Sequence, residues 1–374
     1  MKFVCDKNDL LDAIIPAMYG VATRASIPLL EGLKISCEGE NISVCGYDLE
    51  KGVKAHFKAH KIWESGSAVF DAAQLSSIVK GLPEGEVVVS IDAKGVANVL
   101  SYRTNIDIHT RSDETYPALP RLSGNKSFVI NQGEFKKMIN QVLFAVGNNE
   151  QKPVLKGVFF KIEGGILHLS ALDGFKLAYR EYDLGKMEHV QIPNEDLTFI
   201  VPGKSLTELL KLLTNDNETV NLELTEKHII VNFENVSFFS RLIDGEFIDY
   251  NRFIPKDSKT VVKVDTSKLI KSAERASLII NEKAKTPVKF NFSQNGINVN
   301  CATVTGRIFD EVEAEVEGEG VELAFNVKYV LDTLRACPET VKISLSTPHS
   351  AMLLTPADEE NKFVYLVLPV SIKN

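Results

Sequence analysis

Phe70-Asp71-Ala72-Ala73-Gln74-Leu75-Ser76-Ser77-Ile78-Val79-Lys80 has two counterparts further along the chain. They are Val201-Pro202-Gly203-Lys204-Ser205-Leu206-Thr207-Glu208-Leu209-Leu210-Lys211 and Phe325-Asn326-Val327-Lys328-Tyr329-Val330-Leu331-Asp332-Thr333-Leu334-Arg335. The three lie about 125–130 residues apart, the size of a whole domain and not of a solenoid repeat. Leu75, Ile78, Val79 and Leu82 match Leu206, Leu209, Leu210 and Leu213 position for position, and Val330, Thr333, Leu334 and Cys337 give a weaker version. A stripe at i, i+3, i+4, i+7 is the buried face of a helix. Five residues after the first stripe position stands Lys80, Lys211 or Arg335. Five residues are ~140° around a helix, so these side chains leave the core on one common face.

A further helix pattern opens each repeat. Phe135, Met138, Ile139, Val142 and Val146 form the clearest stripe, with Lys136, Lys137, Asn140 and Gln141 opposite. Leu11, Ile14, Ile15 and Met18 do the same in the first repeat, where Pro16 is expected to kink or interrupt the helix. Leu269, Ala273 and Ile280 mark the third, with Lys268, Lys271 and Arg275 outside it. Strands fill the rest. Gly165 to Ala171, Ile229 to Phe233 and, most strictly, Ile297 to Cys301 alternate apolar and polar residues. Val96 to Tyr102 is their less regular first-repeat counterpart. Boundaries follow Pro120 and Pro255, giving expected domains 1–122, 127–255 and 256–374. Two helices and many strands per repeat mean α+β, with helices on one face of antiparallel sheet.

Composition narrows the function classes. Hydrophobic content of 44% and charged content of 25% are globular values in a chain of 374 residues. No run of ~18 apolar residues suits a membrane span. Met1-Lys2-Phe3-Val4-Cys5-Asp6 is charged and alternating, a first strand rather than a signal peptide. Cys5, Cys37, Cys45, Cys301 and Cys337 are odd in number and form no CxxC pair, which points to a reducing cytoplasm. Cys37 and Cys45 could face each other across a hairpin, with buried free thiols the other reading. The net charge of −8 argues against non-specific nucleic-acid binding by the chain as a whole, while leaving room for a locally basic surface.

Catalytic strings are missing. There is no P-loop, GxGxxG, HExxH or GxSxG. His56 and His60 share one face of an expected strand without further ligands nearby, so no metal and no cofactor is expected. Glu311 to Glu317 reads as one strand with an acidic face. Two other classes stay open at this point. One is an enzyme with an unrecognised site between domains, the other a structural repeat protein without DNA.

Six strings together carry a resemblance over the whole chain. They are Gly46-Tyr47-Asp48-Leu49-Glu50, Lys80-Gly81-Leu82-Pro83-Glu84-Gly85, Asp173-Gly174-Phe175-Lys176-Leu177-Ala178, Leu242 to Tyr250, Asn281-Glu282-Lys283, and Phe325 to Leu331. The ending Tyr365-Leu366-Val367-Leu368-Pro369-Val370 adds a seventh. In this order and spacing the chain resembles the bacterial sliding clamps, the beta subunits of DNA polymerase III. The resemblance implies three tandem DNA-clamp domains, helices lining a central channel, antiparallel sheets outside and a ring-shaped homodimer. It implies a non-catalytic, cytoplasmic processivity factor that encircles duplex DNA irrespective of sequence. Polymerase, clamp loader and repair proteins would dock on it through short linear motifs.

The same resemblance implies the sites. Arg24, Lys152 and Lys204 match DNA-contacting or basic family positions, and Lys80, Lys211 and Arg335 join them from the repeat argument. The family often has an arginine at Ala73 and aromatic residues at Pro153 and Val154. The partner-peptide groove maps to Leu155, Leu172, Gly174, Phe175, Lys176, Leu177, Ile248, Arg252 and Phe253. From the last domain come Asn326, Tyr329, His349, Ala351, Leu366, Val367, Leu368, Pro369 and Val370. Phe175 and Leu172 replace more polar family residues, Ser371 stands where an arginine can occur, and Lys373-Asn374 extend the tail. The subunit interface would set Arg103, Ile106 and Ile108 against Leu278, Ile279, Asp310, Glu311 and Glu313. The family is more acidic where this chain has Gly306 and Arg307. Arg307 is also the repeat's own basic position, equivalent to Lys51 and Lys176.

Overall fold

The computed structural model describes all residues except 122, 125, 187–192, 194, 282–285, 359–361 and 371–374. Glu282, Lys283, Ser371, Lys373 and Asn374, singled out in the sequence, lie outside the described residues. Six helices are described: α1 Lys7–Met18, α2 Ala72–Gly81, α3 Gln132–Leu143, α4 Gly203–Leu212, α5 Thr266–Ser277 and α6 Val327–Leu334. The described chain divides into two compact units, one built on residues 1–133 and 208–242, the other on 134–207 and 243–370.

The first unit holds an eight-stranded and a five-stranded antiparallel sheet. The eight strands run in the order Lys126–Asn131, Thr219–Leu224, His228–Phe233, Val236–Arg241, Lys51–Lys58, Asn41–Tyr47, Gly32–Glu38, Gly66–Asp71. The five run Lys61–Glu64, Lys2–Asp6, Glu86–Ile91, Val96–Ser101, Thr104–His109. The second unit repeats the plan with nine and four strands. The nine are Leu197–Pro202, Gly157–Glu163, Ile166–Leu172, Lys176–Asp183, Phe363–Val367, Met352–Pro356, Thr340–Leu345, Thr260–Asp265, Glu315–Gly318. The four are Gly306–Val312, Gly296–Thr303, Val288–Ser293, Val321–Phe325. This is the expected α+β plan of mostly antiparallel sheet with helices laid on it.

Helices start where strands stop, and one residue does both jobs. Asp6, Asp71 and Asp265 each end a strand and cap the following helix, accepting from the N–H groups of Asn8, Gln74 and Lys268. Asn326 caps α6 in the same way through Lys328. The cap satisfies an otherwise orphaned donor, so the chain turns from strand to helix within one residue.

Several expectations need correction. The buried face of α1 is Leu10, Ala13, Ile14 and Ala17, not Leu11, Ile14, Ile15 and Met18; Ile15 is exposed. Two alanines carry half of that face, which a search for large apolar residues overlooks. Pro16 does not interrupt α1, because it lies in the last turn and only two helical residues follow it. Val146 and Ile280 fall beyond the ends of α3 and α5. Gln141 is buried rather than on an exposed face. His60 lies past the end of strand Lys51–Lys58, so it shares no strand face with His56. The acidic run is not one strand: Gly306–Val312 and Glu315–Gly318 belong to different sheets. Cys37 pairs in register with Ile42 and Cys45 with Lys34, and all five thiols are free.

Replacing the cap of α2, Asp71→Ala, should lower stability by about 1 kcal/mol in urea unfolding with an unchanged m-value. Asp71→Asn should retain most of it.

Candidate functional site

Strands Ile166–Leu172 and Lys176–Asp183 are joined by Asp173-Gly174-Phe175. The Asp173 carboxylate accepts from the N–H groups of Phe175 and Lys176, both at 2.8 Å. Gly174 has φ +93°, a conformation a side chain resists. This turn throws Phe175 outward, 52% exposed, with its ring stacked on Tyr329 at 5.5 Å. Lys176 goes the other way. It is buried, and its Nζ donates to the Phe144 carbonyl just past α3 (2.8 Å) and to Asp332 on α6 (3.1 Å). Its ammonium also lies 5.1 Å from the Tyr329 ring centroid. The first repeat builds the same turn. Asp48 accepts from Glu50 and Lys51, Leu49 takes φ +76°, and the Lys51 Nζ donates to the Tyr19 carbonyl past α1 at 2.9 Å.

The third repeat departs from this. The Ile279 carbonyl past α5 accepts instead from the hydroxyls of Thr303 (3.1 Å) and Thr305 (3.2 Å). Arg307 stands exposed on the edge strand Gly306–Val312. It shares the repeat position of Lys51 and Lys176 but not their role as a helix cap.

Beside the Asp173 turn lies an apolar floor. Leu155, Leu172, Leu177, Tyr250, Ala351 and Leu366 are buried together, with Val154, Phe159, Tyr179, Phe247, Ile248 and Ile254 half-buried against them. Phe159 and Phe247 stack at 4.9 Å. The ladder sets Leu177 opposite Leu366 and Lys176 opposite Val367, so alternation turns Val367 away from the floor. Large apolar side chains stand exposed near it in the chain: Phe175, Phe253 at 54% and Leu368 at 40%. The Leu368 N–H donates to the Phe175 carbonyl at 2.9 Å, and the Val370 N–H to Ala324 at 2.8 Å, which fixes Pro369 between them. Asn326 caps α6, Arg252 is exposed and paired with Asp249, and His349 is exposed. A buried apolar floor with an exposed apolar rim and few polar groups suits a peptide with aliphatic or aromatic anchors.

Sequence reasoning missed Val154, Phe159, Tyr179, Phe247, Tyr250 and Ile254. Phe159 and Tyr179 carried a signal: both are large rings at strand positions that alternation assigns to the outer face. Behind the floor, the Tyr179 hydroxyl donates to Glu181 at 2.7 Å and meets His168 Nδ1 at 2.7 Å, and Lys362 pairs with Glu181 at 2.9 Å. Burial pushes the Glu181 carboxyl up, but the Tyr179 hydroxyl and the Lys362 ammonium outweigh it and hold it below the usual range. Burial pushes the His168 imidazole down against the pull of Glu181.

The six basic positions are all exposed. In the first unit Arg24 lies in the loop before Pro28. Lys80 is in the last turn of α2, and Lys211 on α4 pairs with Glu208 at 2.9 Å. In the second unit Lys152 precedes the 3-10 turn Pro153–Lys156 and Lys204 opens α4. Arg335 ends α6, paired with Glu274 of α5 at 2.9 Å. Lys80 has no carboxylate partner among the described residues. The six described helices carry ten Lys and Arg against six Asp and Glu, an excess of cations on helices in a chain of net charge −8.

Among the terminal strands of the four sheets, one in each unit bears on the expected subunit contact. Strand Thr104–His109 ends the five-stranded sheet, with Tyr102 80% exposed in the turn before it and the Arg103 guanidinium over its ring. Ile106 is half-buried and Ile108 buried in the unit's own core. Strand Gly306–Val312 ends the four-stranded sheet, with Phe309 exposed on it, Leu278 82% exposed nearby in sequence after α5, and Ile279 half-buried. Asp310 pairs with Arg275 and Glu313 with Lys268 inside the same chain, while Glu311 is exposed. No cluster of metal-binding side chains occurs among the described residues.

Known proteins match along the full length. The DNA polymerase III beta subunit family matches as its N-terminal domain over residues 1–120, its central domain over 129–249 and its C-terminal domain over 251–371. The beta sliding clamp of Bacillus subtilis is 31% identical, with 99% of each chain covered. That of Vibrio cholerae is 26% identical over 100% of both. The solved DNA polymerase sliding clamp from Bacillus subtilis superimposes with a TM-score of 0.94 at 30% identity, covering 100% of both chains. The beta subunit from Thermotoga maritima does so with a TM-score of 0.89 at 27% identity, again over 100% of both.

Two measurements check this geometry. Lys176→Met strands Asp332 and the Phe144 carbonyl. It should cost about 2–3 kcal/mol in denaturant unfolding, less than a fully enclosed pair because Asp332 is one-quarter exposed. Glu181 and His168 both have folded pKa values below their unfolded ones. Their contributions are therefore complete above the ordinary imidazole value of 6.5 and fade on acidification, His168 first and Glu181 below about 4.5. Glu181→Gln should flatten the acid limb of a stability-against-pH curve and enlarge the imidazole step, because the charge that pulls His168 up is gone.

Proposed function

Because this chain belongs to the DNA polymerase III beta subunit family, the bacterial sliding clamps, we propose that two copies close head to tail into a ring around duplex DNA. Its function is that of the family: a non-catalytic processivity factor of DNA replication. Such a protein works by topology. An encircling ring needs to attract phosphate but not to read bases, since contacts to base edges would stop it sliding. Arg24, Lys80, Lys152, Lys204, Lys211 and Arg335 are the basic side chains assigned to that task. The excess of cations on the helices supports the assignment. The bare edges at Thr104–His109 and Gly306–Val312 are the two halves of the subunit contact. Exposed Tyr102, Leu278 and Phe309 are the apolar surface it would cover.

The apolar floor and its rim are the groove for the polymerase catalytic subunit, the clamp loader and repair proteins. The observation that carries this reading is the conjunction of six buried floor residues with exposed Phe175, Phe253 and Leu368. A cytoplasmic location fits five free thiols, and no helix among the described residues is long and apolar enough to cross a membrane.

The test loads the full chain onto nicked circular DNA and follows its residence. The wild type should have a mass near twice 41.4 kDa by light scattering and remain on circles but slide off linear DNA. K80E/K211E/R335E should keep that mass and shorten residence or slow loading. Unchanged residence and loading in the triple variant would remove these three residues from the DNA surface. A monomer at every concentration would overturn the ring.

A further inference from the structure

The groove floor has a counterpart in the other unit. Ladder Lys51–Lys58 on Val236–Arg241 corresponds to ladder Lys176–Asp183 on Phe363–Val367. The pair Lys51↔Ser240 sits where Lys176↔Val367 does, and Gly52↔Phe239 where Leu177↔Leu366 does. The 3-10 turns Pro28–Glu31 and Pro153–Lys156 place Leu30 and Leu155 alike. Tyr47 and Leu172 each precede the aspartate of the turn. Leu30, Tyr47, Val69, Tyr116, Ile230 and Phe239 accordingly form one buried cluster.

Three wall positions decide the difference between the copies. Leu172, Leu177 and Leu366 become Tyr47, Gly52 and Phe239. A Cβ placed on Gly52 would lie 2.2 Å from Cζ and 2.7 Å from Cε2 of Phe239. The Phe239 ring thus fills the volume that a side chain at this position would take, and Gly52 is glycine for space rather than for its backbone angles. The Tyr47 ring closes on Phe239 at 5.5 Å between centroids, and Phe239 is wholly buried. The rim changes as well. Exposed Phe175 and Leu368 correspond to Glu50 and Arg241, both exposed and charged.

We infer that the unit built on residues 1–133 and 208–242 carries a closed copy of the groove in which Phe239, seated over Gly52, is the built-in occupant, so that each chain takes one apolar-anchored peptide and not two. Gly52 and Phe239 are then determinants of where partners dock. The inference rests on the groove reading given above. It assigns the two copies opposite states by one exchange, a ring over a glycine in place of two facing leucines.

The test uses the full-length chain and a fluorescein-labelled peptide with Leu and Phe anchors, selected for measurable binding to the wild type. The wild type should bind one peptide per chain. Moving the plug into the open copy, L177G/L366F, should weaken binding about 30-fold or more, the loss expected when an anchor's pocket is filled. Circular dichroism and thermal unfolding establish that this variant is folded. Removing the plug and its charged rim, F239L/E50F/R241L, should raise the stoichiometry to two. If L177G/L366F does not fold, that stoichiometry decides: two supports the plug and one overturns it. Two peptides per wild-type chain, or unweakened binding to folded L177G/L366F, also overturns it while leaving the chain a peptide binder. No binding to the wild type by any such peptide overturns the groove reading itself, and the plug with it.

Discussion

Two antiparallel ladders, Lys51–Lys58 on Val236–Arg241 and Lys176–Asp183 on Phe363–Val367, carry each sheet from one sequence repeat into the next. Backbone hydrogen bonds make this junction, so it tolerates wide variation in side chains while holding register strictly. The consequence is that the features shared by the first two repeats recur at a fixed offset. The Asx turn, the helix-capping lysine and the apolar cluster all hang from the strand that opens the ladder. Variation between copies is then confined to side chains, and side chains are where the two clusters acquire different states.

The sequence made the repeat legible because Leu75, Ile78, Val79 and Leu82 have counterparts of the same size at the same spacing. Strict alternation likewise located strands such as Gly296–Thr303. It failed where periodicity carries no information about partners. Glu311 to Glu317 alternates without a break, yet the ladder changes sheets between Val312 and Glu315. The face of α1 was displaced by one residue because alanines do half of its packing.

The candidate groove was legible only through the family resemblance. Leu155, Leu172, Leu177 and Leu366 read as ordinary core, and nothing local marks them as a floor shared by distant segments. Phe247 and Tyr250 escaped because they sit between strands, where neither period applies. Lys176 shows the opposite limit. It was assigned to the groove, and the structure buries its ammonium on α6 and the end of α3, where it holds the turn that presents Phe175. A residue can belong to a binding surface by positioning it from behind.

The distribution of charge over the helices has a kinetic meaning. Beyond a Debye length, about 8 Å at physiological ionic strength, salt screens the protein's net charge of −8 from that of another polyanion. Inside that distance the nearest side chains set the field, and α2, α3, α4 and α5 each carry more Lys and Arg than Asp and Glu. A net charge of −8 supplies none of the long-range steering that speeds basic proteins to nucleic acid. What attraction the helices have for phosphate acts at contact range, where it favours retention more than approach.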